Sequence, residues 1–510
     1  MPTKLSSASF DFTTAPGRQP QATERDPQGR FNIVVMGDFT GRANRGVVEP
    51  LAARELLNVD VDNRERVFAQ LGAKLKLTGA GIPEGAVELA FASLDDFHPD
   101  KLLGQIPSLA KLVEARRLVL TPSTAEQGRA ALQAYLGAAI AAPAEPSGAA
   151  AAPVKEADDD TMARLLGGAP PVKKTPTPTS QLDEFIRQAV APHISAAPGA
   201  WQSGVVAAAE MELTSRLNAI LHHPDFQSLE AAWRGVDLLV RRIESSEEIG
   251  VLVLDVLLAE LGVPPSGDPT AAPPEGGTPS EPSALFRLLR DRSPSLLASN
   301  FTFGQTADDL RALGKLAEIA ATLRAPFIAT AAPQLVGCDC FGAHPDPDDW
   351  KTKLPADLAE IWEALRSSAH ASHVGLAAPR FMMRQPHGKA GDPIETFPFE
   401  EMPAEPVHES FLWGHPAVLV AHSAIDALQS GDTTLAEFTG GEFGDLPVHK
   451  YMEDGEKAVK PYAEAWLTDR AVDRMLARGV MPIVSVKNQN TVRIYSLRSI
   501  AQESVTLSFG

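Results

Sequence analysis

Cysteine is almost missing from this 510-residue chain: there are two, Cys338 and Cys340, too few and too close together for a disulfide framework. Long apolar runs are missing as well. None approaches the roughly 20 residues that cross a bilayer, and the opening MPTKLSSASFDF has no continuous apolar core of the signal-peptide kind. A cytoplasmic location without membrane insertion is the expectation. Positive charge is scarce: 46 Lys and Arg face 65 Asp and Glu, giving a net charge of −19. No Lys/Arg cluster is dense enough to hold a run of phosphates, so nucleic acid is not an expected partner. Nucleophile-elbow, zincin and kinase signatures are absent too, as is any repeat of fixed period. No catalytic residues, no cofactor and no metal are expected.

What is present is ordinary globular material, 44% hydrophobic and 22% charged, long enough for two or three domains. Two stretches break it. Residues 138–181 are rich in Ala, Pro, Ser and Thr, and residues 263–283 (VPPSGDPTAAPPEGGTPSEPS) are poorer still in core-forming side chains. The expected organisation is therefore a small domain at 1–137, a linker at 138–181, and a large domain at 182–510 interrupted by a loop at 263–283.

The small part reads as strand, turn, helix, strand, helix. FNIVVMG is a β-branched strand closed by glycine. NRERVFAQLGAKLKL shows helical spacing at Val67, Phe68, Leu71 and Leu75. VELAFASLDDF alternates like a strand, and the segment after it returns to helical spacing at Leu102, Leu103, Ile106, Leu109 and Leu112. The large part opens with helices broken at Pro224, then alternates strand and helix. GVLVLDVLLAEL reads as a strand passing into a helix, and Thr306 caps a helix that leads into a buried strand. The fold class is mixed α/β (α+β), with sheets covered by helices.

The stretch GDFTGRANRG after the first strand looks like a phosphate loop but lacks the spacing of either glycine-rich fingerprint. A local turn capped by Asp38 is the better reading. CDCFGAH offers Cys338, Cys340 and His344, but a structural zinc needs a fourth ligand and none follows nearby. His222 and His223 precede Pro224, a capping position, and FLWGHPA is a domain seam or a pocket wall. DDDTMARLLGG, at 158–168, can form a short capped helix with Met162, Leu165 and Leu166 on one face.

Several segments together resemble the contractile sheath proteins of the type VI secretion system. GDFTGR and ASLDDFHPDKLLGQIPSLAKLVEAR resemble the sheath small subunit. LNAILHHPDFQSLEAAWRGVDLLVRR, NFTFGQTADDL, VGLAAPRFMMRQPHG, FLWG and GDLPVHKYMEDGE resemble the large subunit. The resemblance implies a fusion of the two subunits, without the large subunit's usual C-terminal extension. It implies a structural role: helical self-assembly around an inner tube protein, docking to baseplate proteins, contraction that expels the tube, and recycling by an AAA+ unfoldase that takes a short apolar helix, here Met162, Leu165 and Leu166. Leu102, Leu103, Ile106 and Leu109 are expected to form one apolar face between the halves. Two alternating ends, with Phe10 and Phe12 and with Val505, Leu507 and Phe509, are candidates for strand addition. The alternatives are a sheath-derived accessory protein that does not polymerise, or a metal- or ligand-binding protein using the FLWG or CDC region.

Overall fold

The computed structural model describes residues 29–51, 54–136, 200–243, 248–261, 283–431, 440–453, 455–503 and 505–507. Phe10, Phe12, Met162, Leu165, Leu166 and Phe509 lie outside the described residues, as do the 138–181 segment and residues 263–282 of the loop. The described residues cluster into two compact units, one drawn from 1–106 and 214–510, the other from 107–213.

In the first unit, the strands from the early part are β1 (Phe31–Gly37), β2 (Leu57–Val59), β3 (Lys74–Thr78) and β4 (Ala86–Ala90), with helices α1 (Arg42–Arg45), α2 (Arg64–Leu71) and α3 (Pro99–Gln105). The second unit holds α4 (Pro107–Leu120), α5 (Ala125–Leu136) and the first part of α6 (Ala200–Leu221). The rest of the first unit follows as α7 (Pro224–Arg242), β5 (Ile249–Asp255), α8 (Ala284–Arg290), β6 (Pro294–Phe303), α9 (Ala307–Leu323), β7 (Phe327–Ala331), α10 (Ala356–Arg366) and β8 (Val374–Ala378). It ends with the short strands β9 (Phe381–Met382) and β10 (Trp413–Gly414), helix α11 (Pro416–Gln429), β11 (Glu442–Phe443), the hairpin β12 (Lys450–Glu453) and β13 (Glu456–Val459), α12 (Asp469–Ala477), β14 (Val480–Val486) and β15 (Thr491–Ile494).

The main sheet has nine strands in the order β11-β15-β14-β8-β7-β6-β1-β5-β2. Strands β14, β8, β7, β6, β1 and β5 run parallel, and β2 and β15 pair antiparallel at the flanks. Strand β1 stands between β5 and β6, with Phe31 opposite Ile249 and Met36 opposite both Leu254 and Ser299. Both neighbours of β1 therefore lie more than 200 positions away in sequence. A parallel strand covered on both faces reads as a continuous apolar run, which is why Ile33, Val34, Val35 and Met36 are all buried. Each such side chain stabilises the fold by about 1.5–3 kcal/mol.

Helices cover both faces. Val34 and Met36 join Leu252, Leu254 and Leu297 against Leu285 and Leu289 of α8 and Leu310 and Leu313 of α9. On the other side α11 packs along β6, β7 and β8, and α7 packs against α11. Local chemistry sets the boundaries. Thr306 and Asp309 form a reciprocal capping box at the start of α9. His223 Nδ1 accepts the Asp225 N–H at 3.3 Å, with Pro224 as the first helical residue of α7, the capping role anticipated for that pair.

Three expectations are corrected. The helical pattern through Leu75 stops at Gly72, which takes φ 63° as a C-cap; Leu75 and Leu77 then point inward from β3, whose KLKLT alternates. The long helix after residue 98 is two helices, because Pro107 cannot continue the first one, so Leu102, Leu103 and Ile106 belong with α3 and Leu109 with α4. All four are buried. The helix expected after GVLVLDV is a single 3-10 turn at Leu258–Leu261.

In the second unit, Gly128 lets α5 lie close to α4: a Cβ there would stand 2.5 Å from the Val119 nitrogen. Arg116 Nη2 and Glu210 Oε1 form an ion pair at 2.6 Å, and Arg129 sits 5.3 Å over the Trp201 ring.

If β1 completes the sheet, a fragment ending at residue 137 and a fragment starting at 180 should each be insoluble or partly unfolded alone. Co-expressed, they should purify as a one-to-one complex in size-exclusion chromatography. Two soluble fragments that ignore each other when mixed would refute this.

Candidate functional site at the joint of the early and late segments

The turn after β1 is built by one carboxylate. Asp38 Oδ1 accepts the backbone N–H groups of Thr40 (3.3 Å) and Arg42 (2.9 Å), and Oδ2 accepts that of Ala43 (2.8 Å). Gly41 has φ 70°, and a Cβ there would lie 2.3 Å from the Lys74 carbonyl oxygen, so only glycine fits. The turn delivers Arg42 into the interior beside the end of β5. Its Nε donates to Asp255 Oδ2 at 2.8 Å, Nη2 donates to Glu260 Oε2 at 3.0 Å, and Nη1 contacts Glu260 Oε1. Asp255 also accepts from Phe39 N–H at 2.8 Å and from Thr40 Oγ1 at 3.1 Å. Desolvation works against the charged guanidinium, but Glu260 and Asp255 outweigh it and raise its pKa. Arg42 is thus paired inside the protein, and Arg45 is turned onto the backbone, donating to the Gly41 carbonyl at 3.2 Å and the Thr40 carbonyl at 3.1 Å.

Next to this ion pair is an aromatic seam. Trp233 of α7 donates Nε1–H to the Phe39 carbonyl at 2.8 Å, and its ring meets those of Phe39 (5.4 Å, 70°) and Phe68 (4.1 Å). Phe226, about two turns earlier on α7, meets Phe91 at 6.0 Å and Phe97 at 5.5 Å, edge to face. Asn44 Nδ2 donates to Asp225 Oδ2 at 2.7 Å, and Arg64 pairs with Asp237 at 3.2 Å. The start of α3 is tied down as well: Asp100 accepts from the N–H groups of Glu395 (2.9 Å) and Thr396 (3.2 Å) and from Thr396 Oγ1 (2.5 Å). Every one of these contacts joins the segment before residue 107 to the segment after residue 213.

Behind the seam sits a second buried charge cluster. Arg384 donates from Nε to Glu230 Oε1 (2.9 Å) and from Nη1 to Glu401 Oε2 (2.8 Å), while Arg234 holds Glu230 at 2.7 Å. Burial opposes ionisation of Glu401, but the Arg384 charge prevails and holds its carboxyl well below the usual range. Glu401 Oε2 also receives the His387 N–H at 2.6 Å.

The sequence candidates fall as follows. Leu102, Leu103 and Ile106 are buried in the first unit, and Leu109 is buried in the second. Leu507 is buried while Val505 is 38% exposed. The Leu507 N–H donates to Leu497 O at 3.4 Å, and the Ser499 N–H donates to Val505 O at 3.0 Å, so residues 505–507 pair with 497–499 of the same chain. Cys338 is buried, which pushes its thiol up to about 12, and Cys340 is half-buried. Cys340 lies beside His408 and Glu409, residues too distant in sequence for motif reading to join. Phe411, Leu412 and Trp413 are buried, and Phe411 and Trp413 cluster with Met382 and Met402, so FLWG packs core. A cleft of about 500 Å³ does exist nearby, lined by residues including Tyr451, Lys460, Tyr462 and Glu464. No described helix is long and apolar enough to cross a membrane.

Comparison with known proteins follows the same division. Residues 203–264 and 292–501 match the VipB family, the EvpB-type tail sheath N-terminal domain, and residues 23–147 match the type VI secretion system VipA family. The chain belongs to the type VI secretion sheath family. It is 29% identical over 308 residues to the type VI secretion system sheath protein TssC1 of Pseudomonas aeruginosa, an alignment covering 58% of this chain and 60% of that protein. It is 33% identical over 147 residues to the sheath protein TssB1 of the same organism, covering 28% of this chain and 83% of that protein. The chain thus spans about 60% of the length of the TssC1 relative. Strands β1 and β2 come from the VipA-matching span, and every other strand of the main sheet comes from the VipB-matching span. The sheath fusion inferred from the residues is therefore carried in the architecture: the two families share one sheet.

Replacing Arg42 by Met should strand the buried Asp255 and Glu260 carboxylates, costing about 3–5 kcal/mol of stability in urea denaturation. Adding Asp255→Ala should restore part of that loss. A cost under about 1 kcal/mol for Arg42→Met would mean that the cluster is solvated rather than buried.

Stability should also fall on mild acidification. His415, whose Nδ1 is 2.9 Å from Thr330 Oγ1, is pushed down to about 4 by burial, and so is His422, despite Asp426. Unfolding restores the ordinary value near 6.5, so between pH 6.5 and about 4 the unfolded chain binds more protons. The urea midpoint should be highest above pH 6.5 and drop through that window, less steeply in His415→Gln. A midpoint that stays flat from pH 7.5 to 5 would contradict this.

Proposed function

We propose that this chain is a structural component of a type VI secretion contractile sheath, acting by assembly rather than catalysis. The observation that carries the reading is β1 lying between β5 and β6: a VipA-type strand completes a VipB-type sheet inside one polypeptide. Each fused chain would be one sheath protomer with its two parts in fixed ratio. Protomers would stack helically in the cytoplasm around an inner tube protein, seated on baseplate proteins, and the lattice would contract to expel the tube. Small interface energies, summed along such a polymer, suffice to drive a cooperative change of lattice.

In this reading, the chain ends with Phe10, Phe12 and Phe509 supply strand contacts between protomers, and Met162, Leu165 and Leu166 form the handle for an AAA+ unfoldase. Residues 497–507 pair within the chain and Leu507 is buried, so deleting the C-terminal end would disturb the fold. The N-terminal end gives a cleaner test.

Purified with its tube protein, the chain should form long helical polymers in the electron microscope. Deleting residues 1–13 should abolish them while the far-ultraviolet circular dichroism stays unchanged. Leu165→Asp with Leu166→Asp should leave assembly intact but let contracted polymers persist when unfoldase and ATP are added. A chain that stays monomeric with or without the tube protein would instead be a sheath-derived accessory protein.

A further inference from the structure

We propose that His98, His387 and Asp392 form a binding site for one divalent transition-metal ion, best matched by zinc, that fastens α3 to the 387–396 loop. The three side chains each offer one ligand atom, and these atoms lie within 4.8 Å of one another. Asp392 Oδ2 is 3.2 Å from His387 Nδ1 and 3.9 Å from His98 Nε2. Ligands of a tetrahedral zinc ion stand about 3.4 Å apart, given bonds of about 2.1 Å. The two imidazole rings face each other edge to face, 5.1 Å between centroids at 84°. Small side-chain adjustments would bring all three onto one ion.

His387 is the independent sign. It is 2% exposed, and neither ring nitrogen has a hydrogen-bond partner. Nδ1 is near the Asp392 carboxylate but not aligned for a hydrogen bond. Buried polar atoms are normally satisfied, and an orphaned imidazole calls for an explanation such as an ion.

The ligands are held in place before any ion arrives. His387 N–H donates to Glu401, Gly388 N–H donates to the Asp392 carbonyl at 2.9 Å, and Gly391 N–H donates to the Gly388 carbonyl at 3.1 Å. Gly388 has φ 150°, and a Cβ there would meet Glu400 Oε2 at 2.3 Å, so the loop cannot relax around a larger residue. The bonds from Asp100 to Glu395 and Thr396 fix His98 against the same loop. His98 Nδ1 accepts the Asp100 N–H at 3.3 Å, so coordination through Nε2, which sends the ring proton to Nδ1, exchanges this cap for an approach to Asp100 Oδ2, 3.7 Å away. Asp392 is exposed, which gives the ion a way in and leaves a fourth position for water.

The other cluster, Cys340, His408 and Glu409, is a weaker candidate. Both nitrogens of His408 are already engaged, Nε2 with Glu464 Oε1 and Nδ1 with Lys460 Nζ, each at 3.1 Å. This proposal does not depend on the sheath reading.

The test uses the full chain, stripped with chelator, then titrated with Zn²⁺ by calorimetry and with Co²⁺ by absorption. One ion should bind per chain, with the visible bands of tetrahedral Co²⁺ and no thiolate-to-metal band in the near ultraviolet. His98→Asn keeps a helix-capping acceptor and Asp392→Asn alters an exposed side chain, so both variants should fold; each should weaken binding at least about tenfold. Cys340→Ser should bind as the parent does. Substoichiometric binding, unchanged affinity in both variants, or a thiolate band that disappears in Cys340→Ser would overturn the proposal.

Discussion

The fold depends on hydrogen bonds along both edges of β1. A parallel strand has no covalently adjacent partner, so its donors and acceptors must find strands elsewhere in the chain. Here those strands are β5 and β6, paired with it from Phe31–Gly37 onward in nearly continuous register. Without β1, two buried strands of the late segment would face each other across a missing rung, with their amide groups unpaired in an apolar interior. The early segment would keep only the β3–β4 hairpin as paired sheet, and an isolated hairpin is marginal in water. Neither segment has a complete core of its own, and that shared incompleteness makes them one protomer.

The same constraint explains the charges. The carboxyl end of a parallel sheet beside a switch in strand order is a common place for a ligand. β1 occupies such a point, with β5 on one side and β6 on the other. The position is filled from within: Arg42 takes the place of a cationic ligand, and Asp255 and Glu260 bind it. Removing two charges from water is costly and yields little net stability, but breaking such a pair is far worse. Its main effect is to tie the turn after β1 to the end of β5, so that the two segments settle in one register. The Arg384 cluster acts in the same way further along α7, joining that helix to the 384–401 loop.

Much of this was legible in the residues. The strand FNIVVMG, the Asp38 turn, the cap at His223 and the helix after Thr306 all follow from local rules, and the structure has each of them. The errors were also local. Helical spacing at Leu71 and Leu75 hid a strand, because the alternation of KLKLT spans only five residues and Gly72 carries the real boundary. Pro107 should have ended α3, but the apolar spacing continued across it. What the sequence could not supply is pairing at long range. Nothing near Arg42 in the chain announces Asp255, and nothing near His98 announces His387. Those juxtapositions exist only once β1 is inserted and Asp100 has captured residues 395 and 396.

Fusion alters how such a sheet forms more than what it is. Phe31 pairs with Ile249 across more than 200 positions, a high contact order that slows folding because the closure entropy is lost before the contacts form. Two separate chains must also find each other at their cellular concentrations. In one chain the encounter is intramolecular, with an effective concentration on the order of millimolar. Against partners at about a micromolar, that is roughly a thousandfold, or about 4 kcal/mol, in favour of the assembled sheet. The advantage applies while β5 and β6 still lack their middle strand, the stage at which their exposed edges would otherwise pair with other chains. Covalent connection therefore protects the most aggregation-prone moment of folding, and the interleaved sheet holds the two segments together afterwards.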